Sequence, residues 1–303
     1  MSTEHNEPDE RAARIKSAWP LLLLCLLYGS RWILADVRPQ SGSTIASEAV
    51  AAALLAAGFA VYAIRRPARG SHSGLVQSAC IGAALLAAPT LGAMLRGAAG
   101  DGFNRTVGLC FVPLFLAMAR AWTGQATLRA GVGLTAVAGA LLLFPLTLPQ
   151  SVAGYLGLLL PPLLVTAGLA LGRAHAPQAR HAWAFFAGGA LALGLMEAAR
   201  RHGAVDASQP LSLEAILIDL ALAALTLLAL RRAGSRLYAA RFLLTPVVTA
   251  VEGLLIFRPG MTLRVTTGML LLAVAVVGLY RQRDEADEAS LSLRAPRRDD
   301  VPN

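Results

Sequence analysis

Apolar runs of about twenty residues follow one another along this chain, broken by short stretches rich in Arg, Gly and Pro. That succession limits the fold more than any other feature. A helix needs about 20 mostly apolar residues to cover the ~30 Å of a hydrocarbon core. Ten stretches meet that requirement, near 19–35, 44–64, 74–95, 105–122, 128–147, 152–172, 181–198, 211–230, 236–257 and 261–280. They are continuous and rich in Leu and Ala, without the apolar/polar alternation of a barrel strand, so helices are expected. The fold class read from the sequence is an all-α integral membrane protein with ten transmembrane helices.

Composition agrees. Apolar residues make up 56% of the chain and charged residues 15%, too little polar surface to coat a water-soluble particle. The net charge of +9 does not describe a nucleic-acid surface. Lys16 is the only lysine, the arginines sit in the gaps between apolar runs, and aromatic residues are not interleaved among them. Cys25, Cys80 and Cys110 fall inside apolar spans without CxxC spacing, so neither a disulfide framework nor a zinc site is suggested. His5, His72, His175, His181 and His202 lie in tails or loops, and His175 and His181 read as solvated. No Walker loop, HExxH or GxSxG is present. No enzyme activity, cofactor or metal is expected, and an ATP-driven pump would require a nucleotide domain.

The loop arginines orient the chain. With the N-terminus inside, the cytoplasmic segments carry 15 bases and the opposite side 7 (Arg38, Arg96, Arg105, Arg200, Arg201, Arg258 and Arg264). Both termini are therefore expected in the cytoplasm, with the protein multi-pass in the membrane. Residues 1–18 are polar and lack the basic start and cleavage site of a signal peptide, so they read as a cytoplasmic tail. The charged stretch 283–303 is expected to be a disordered cytoplasmic end.

An internal repeat is also legible. Residues 241–280 read as two apolar helices joined at Arg258-Pro259-Gly260, with Pro246 and Glu252 in the first, and Arg264, Gly268 and Gly278 in the second. A weaker copy holds Pro113, a turn at Thr123-Gly124, then Arg129, Gly133 and Gly139. Such duplication is typical of transporters. Ten spans divide as 19–147 and 152–282. Because five is odd, the second unit must enter the membrane from the other side, which makes the repeats inverted.

The hairpin 241–280, the segment Leu27-Tyr28-Gly29-Ser30-Arg31-Trp32 and Pro113-Leu114-Phe115 resemble the drug/metabolite transporter superfamily, EamA-like branch. The resemblance covers roughly 19–282 as two EamA-like units. It implies ten helices in two inverted five-helix repeats that move amino acids, other metabolites or drugs across the inner membrane. Three positions depart from the family pattern. Phe257-Arg258 stands where Gly-Glu commonly closes helix 9, Glu48 where helix 2 usually has an Arg, and Arg31 where an Asn often follows Gly-Ser.

Ionisable groups inside spans single out the candidate site, since each costs about 2.5–3.5 kcal/mol or more at mid-bilayer. Arg31 and Glu48 lie about one turn from the same ends of antiparallel spans 1 and 2, a depth that suits an ion pair or two snorkelling side chains. Asp219 and Glu252 are the expected charged lining. With Glu197 and Glu214 they place four acids in one half of spans 7, 8 and 9, an arrangement suited to proton exchange or to a cationic substrate group. Tyr28, Trp32, Pro113 and Pro246 are expected to shape the pathway. The prolines are candidate hinges, and Pro161-Pro162 and Gly29-Ser30 are candidate helix interruptions. Gly131, Gly133, Gly139, Gly268 and Gly278 read as close-packing positions.

The expected function is a secondary transporter, an exporter of small metabolites, working by alternating access between the repeats with substrate near spans 1, 3, 4, 6, 8 and 9. Its partners would be a small-molecule substrate, the lipid bilayer and protons; a homodimer stays open. The alternative is a transport-inactive membrane scaffold or regulatory protein on the same fold; a membrane-embedded lipid enzyme is the third and weakest reading.

Overall fold

The computed structural model describes residues 19–31, 44–65, 72–96, 108–122, 130–143, 151–174, 181–203, 211–257 and 260–294. Among them the regular structure is helical throughout, with no strand. In chain order the helices are α1 (Trp19–Arg31), α2 (Ile45–Arg65), α3 (His72–Gly82, continued through Ala83–Ala87 and Ala88–Arg96), α4 (Val112–Trp122), α5 (Ala130–Leu143), α6 (Val152–Ala174) and α7 (Ala182–Gly203). The run Leu213–Phe257 is divided at Gly234 into α8 and α9, and α10 is Leu263–Arg294.

Among the described residues six helices are long and apolar enough to cross a membrane: Ile45–Arg65, Ser73–Gly92, Val152–Gly172, Ala182–His202, Leu213–Ser235 and Leu237–Ile256. Trp19–Arg31, Gly131–Leu143 and Leu263–Leu279 are shorter apolar helices. Large apolar side chains such as Ile64, Leu134, Leu191, Leu217, Leu255 and Leu270 point outward all round the bundle. A surface of this kind is untenable in water and suits lipid. The chain is thus a helical protein with the marks of a multi-pass membrane protein.

Local chemistry sets the helix ends. Thr44 caps α2: its Oγ1 accepts from the Ser47 N–H at 3.1 Å, and Ser47 Oγ accepts from the Thr44 N–H at 2.9 Å. Ser151 Oγ caps α6 by accepting from Gly154 N–H at 3.1 Å. Gly234 has φ 72 and ψ 167, a conformation open essentially to glycine, and this single residue turns α8 into α9.

Among the described residues two clusters form the interior. The larger joins α1, α3, α4, α6, α7, α8 and the start of α9 through residues such as Leu21, Ile81, Leu116, Val165, Phe185, Leu227 and Tyr238. The smaller joins α5, α9 and α10 around Ala136, Ala140, Leu243, Leu272 and Ala275. Backbones meet where side chains vanish. A Cβ added at Gly82 would come 1.8 Å from the Phe185 carbonyl oxygen, and one at Gly268 would come 2.8 Å from Leu143 N and 2.9 Å from the Gly139 oxygen. Gly139 and Gly268 therefore do allow a helix crossing, whereas Gly131 meets open space. Arg264, matched with Arg129 in the repeat, caps the end of α5 by donating to Leu142 O at 2.9 Å and Leu141 O at 3.3 Å. Arg129 and the Thr123-Gly124 turn lie outside the described residues, as do residues 1–18.

Four sequence expectations change. The chain after Gln282 continues α10 as far as Arg294. No Gly or Pro interrupts that stretch, and Arg281/Glu285 and Arg283/Asp287 stand at helical i,i+4 spacing. His181 is not solvated: it is 6% exposed, with its ring over Gly74. Pro161-Pro162 and Gly29-Ser30 do not interrupt their helices. The irregularities lie instead at a π-helical turn, Ala83–Ala87, just before Pro89 in α3, and at Gly234.

Candidate functional site

The end of α1 meets three other helices through adjacent residues. Arg31 Nη2 donates to Glu48 Oε1 on α2 at 2.7 Å, while its Nη1 lies 3.4 Å from Asp219 Oδ1 on α8. One guanidinium thus faces two carboxylates, and a hydroxyl bonds the other oxygen of each. Ser47 Oγ donates to Asp219 Oδ2 at 2.7 Å, and Thr90 Oγ1 on α3 donates to Glu48 Oε2 at 2.5 Å. The capping exchange between Thr44 and Ser47 fixes the first turn of α2, and with it the position of Ser47 beside Asp219 and of Glu48 beside Arg31. Asp219 is 4% exposed. A carboxylate so placed needs its cation, because several kcal/mol of desolvation go uncompensated without one.

Ser30, the residue before Arg31, turns to α9 and donates to Glu252 Oε1 at 3.1 Å. Glu252 Oε2 is buried with no hydrogen-bond partner among the described residues. A Cβ at Gly29 would lie 2.8 Å from that oxygen, so glycine there leaves the carboxylate its room. Of the two expected lining acids, Asp219 is tied to a base and a hydroxyl, and Glu252 is held, among the described residues, by the Ser30 hydroxyl.

Further along α9 toward Gly234 lies a residue not singled out from the sequence. Arg241 is 2% exposed. Its guanidinium carbon is 4.3 Å from the Tyr28 ring centroid, 5.1 Å from that of Phe242 and 5.3 Å from that of Tyr238. Nη1 donates to the Tyr238 hydroxyl and, at 3.5 Å, to Thr226 Oγ1. No carboxylate is among its partners in the described residues. Each desolvated ring contact returns about 0.5–2 kcal/mol, against a penalty of several kcal/mol for a buried ion. The rings offset much of that penalty, but none carries negative charge. In the sequence Arg241 stands five residues inside the span read at 236–257, a position shared by side chains that snorkel to the interface.

Between Arg241 and Glu252 lies Pro246, buried within α9. It removes the N–H that would bond the Phe242 carbonyl. Cys110, just before α4, supplies a replacement: its Sγ donates to Phe242 O at 3.3 Å. Cys25 on α1 reaches the neighbouring Arg241 carbonyl at 3.9 Å. These two thiols are buried and bond carbonyls of α9, beyond the simple packing expected; Cys80 is exposed. Pro113 lies buried in the first turn of α4, directly after a turn at Cys110-Phe111 that breaks the helical run from Gly108. It is a helix-start proline, where Pro246 is a mid-helix one.

Tyr28 faces Arg241, and Trp32 lies outside the described residues. Of the four acids read into one half of spans 7, 8 and 9, the outer two have local settings. Glu197 bonds within its own helix to Arg200 Nε at 2.9 Å and Arg201 Nε at 2.8 Å, and Glu214 is exposed. Side chains at i+3 and i+4 reach Glu197 more cheaply than a neighbouring helix does. Among the described residues no group of three or more His, Cys, Asp or Glu is placed to hold a metal. No protein-family model matches the sequence, and a search of curated proteins returns no match.

Proposed function

We propose that this protein is a secondary transporter of the drug/metabolite transporter superfamily, EamA-like branch, exporting small metabolites across the cytoplasmic membrane. The observation that carries the reading is where the charged side chains meet. Arg31, Glu48 and Ser30 belong to the first expected unit, Asp219 and Glu252 to the second, and they join the two units at one end of the bundle. A polar closure at one end of the pathway is what alternating access requires of one of its two states.

Helix neighbours support an inverted repeat. Under a two-fold relating α1–α5 to α6–α10, the α3–α7 contact corresponds to α8–α2, α4–α5 to α9–α10, and α4–α6 to α9–α1. The contacts α2–α7 and α5–α10 correspond to themselves. All of these neighbours are present. In this reading substrate passes between the units along α1 and α9, and separation of Arg31 from Asp219 opens the outer side. Glu252, with one free buried oxygen, is the group that exchanges protons. Both termini are cytoplasmic.

The scaffold alternative draws on one observation, that Arg31 holds both Glu48 and Asp219 and so gives these acids a structural use. Comparing metabolites exported by cells with and without the protein separates the two. A transporter enriches particular compounds in the medium; a scaffold leaves the exported set unchanged.

A further inference from the structure

We infer that Arg241 anchors the anionic group of a ligand, and that this ligand is a small monocarboxylate with an apolar or aromatic body. The inference rests on the transport reading for the ligand's route into the bundle.

Three observations carry it. First, Arg241 is a buried cation whose described partners are aromatic rings and hydroxyls, so its charge is unanswered where it sits. A guanidinium offers five N–H donors in a planar fork; two hydrogen bonds leave from Nη1, to Tyr238 and Thr226, and the Tyr28 hydroxyl takes a third. Two of the five donors thus have no partner among the described residues, the number a carboxylate can accept.

Second, Tyr28, Tyr238 and Phe242 surround the charge with ring surface. An anion entering here brings its body against aromatic walls, which favours an apolar or aromatic substituent over a hydrated inorganic ion.

Third, Glu252 is the acid further along the same face of α9. It is eleven residues away, ~16 Å at 1.5 Å rise per residue. The α-amino group of an amino acid whose carboxylate lies on Arg241 falls far short of it. The site therefore asks for a carboxylate and makes no demand for a neighbouring ammonium.

The test uses the purified full chain in detergent, with sodium benzoate as probe and benzamide and sodium chloride at matched ionic strength as comparisons. Benzoate is expected to raise the unfolding temperature saturably, with no such shift from benzamide or chloride. Arg241→Lys keeps the charge but not the fork, and is expected to weaken benzoate binding about tenfold or more. Should that variant fail to fold, the infrared carboxylate stretch of bound benzoate in the unaltered protein gives a second readout, and a shift from its frequency in water is expected. Absence of a saturable benzoate effect, an equal effect of chloride, or an unchanged carboxylate band overturns the assignment. Benzoate binding without flux of any metabolite would sink the transport reading and leave the site. Flux of a neutral metabolite without benzoate binding would do the reverse.

Discussion

Asp219 Oδ1 lies 3.4 Å from Arg31 Nη1, and the same guanidinium holds Glu48 at 2.7 Å. The two acids are not equivalent to the base that binds them. Removing Asp219 leaves Arg31 its stronger partner, whereas removing Arg31 leaves two carboxylates facing each other. Arg31→Ala is expected to destabilise the protein by up to about 3 kcal/mol, the low end for breaking a buried pair, because Arg31 and Glu48 are each about one-fifth exposed. Asp219→Asn is expected to cost clearly less. Thermal unfolding of both variants in one detergent checks the order, and the reverse order contradicts it.

Cys110 and Pro246 form a second testable pair, through the Phe242 carbonyl. Cys110→Ala removes the thiol donor and is expected to cost about 0.5–1.5 kcal/mol, plus a small cavity term. Pro246→Ala restores a helical N–H to the same carbonyl. In the double variant the loss of Cys110 is expected to cost less than it does alone, a coupling measurable by a double-mutant cycle. Strict additivity would remove the thiol from its assigned role.

Gly268 marks where α5 and α10 cross. An alanine there meets backbone atoms of Leu143 and Gly139, which cannot rotate away, so a loss of about 1–3 kcal/mol is expected. Gly131→Ala, on the same helix pair but facing open space, is expected to be neutral or slightly stabilising. Equal unfolding temperatures for the two variants would deny the crossing.

Glu252 and Asp219 bear on coupling. If proton exchange at the bundle's acids drives flux, the Asp219→Asn, Glu252→Gln double variant is expected to lose the pH dependence of transport. Flux with the original pH profile removes proton coupling from the account.

The Arg31–Glu48 pair was legible in the sequence because consecutive antiparallel spans bring residues near their shared ends to one depth. Its third member was not. That Asp219 joins Arg31 depends on α8 lying beside α1 and α2, a neighbour relation between distant parts of the chain that periodicity does not carry. Arg241 was overlooked for a related reason. An arginine five residues inside a span has the same sequence position as one that snorkels to the interface, and only the rings of Tyr28, Tyr238 and Phe242 around it decide. The helix past Gln282 was hidden by composition, which reports the want of a core partner and says nothing of local i,i+4 support. The glycine crossing at Gly139 and Gly268 was readable in part from residue type, since only small residues allow backbones so close, but residue type did not separate them from Gly131, which meets open space.

Counterflow tests the central claim most directly. Purified protein in liposomes preloaded with an unlabelled metabolite mixture is supplied with trace labelled amino acids and monocarboxylates outside. The account predicts transient accumulation of at least one label above that in protein-free liposomes, weakened by Arg31→Ala. Folded protein that accumulates none of them would contradict it.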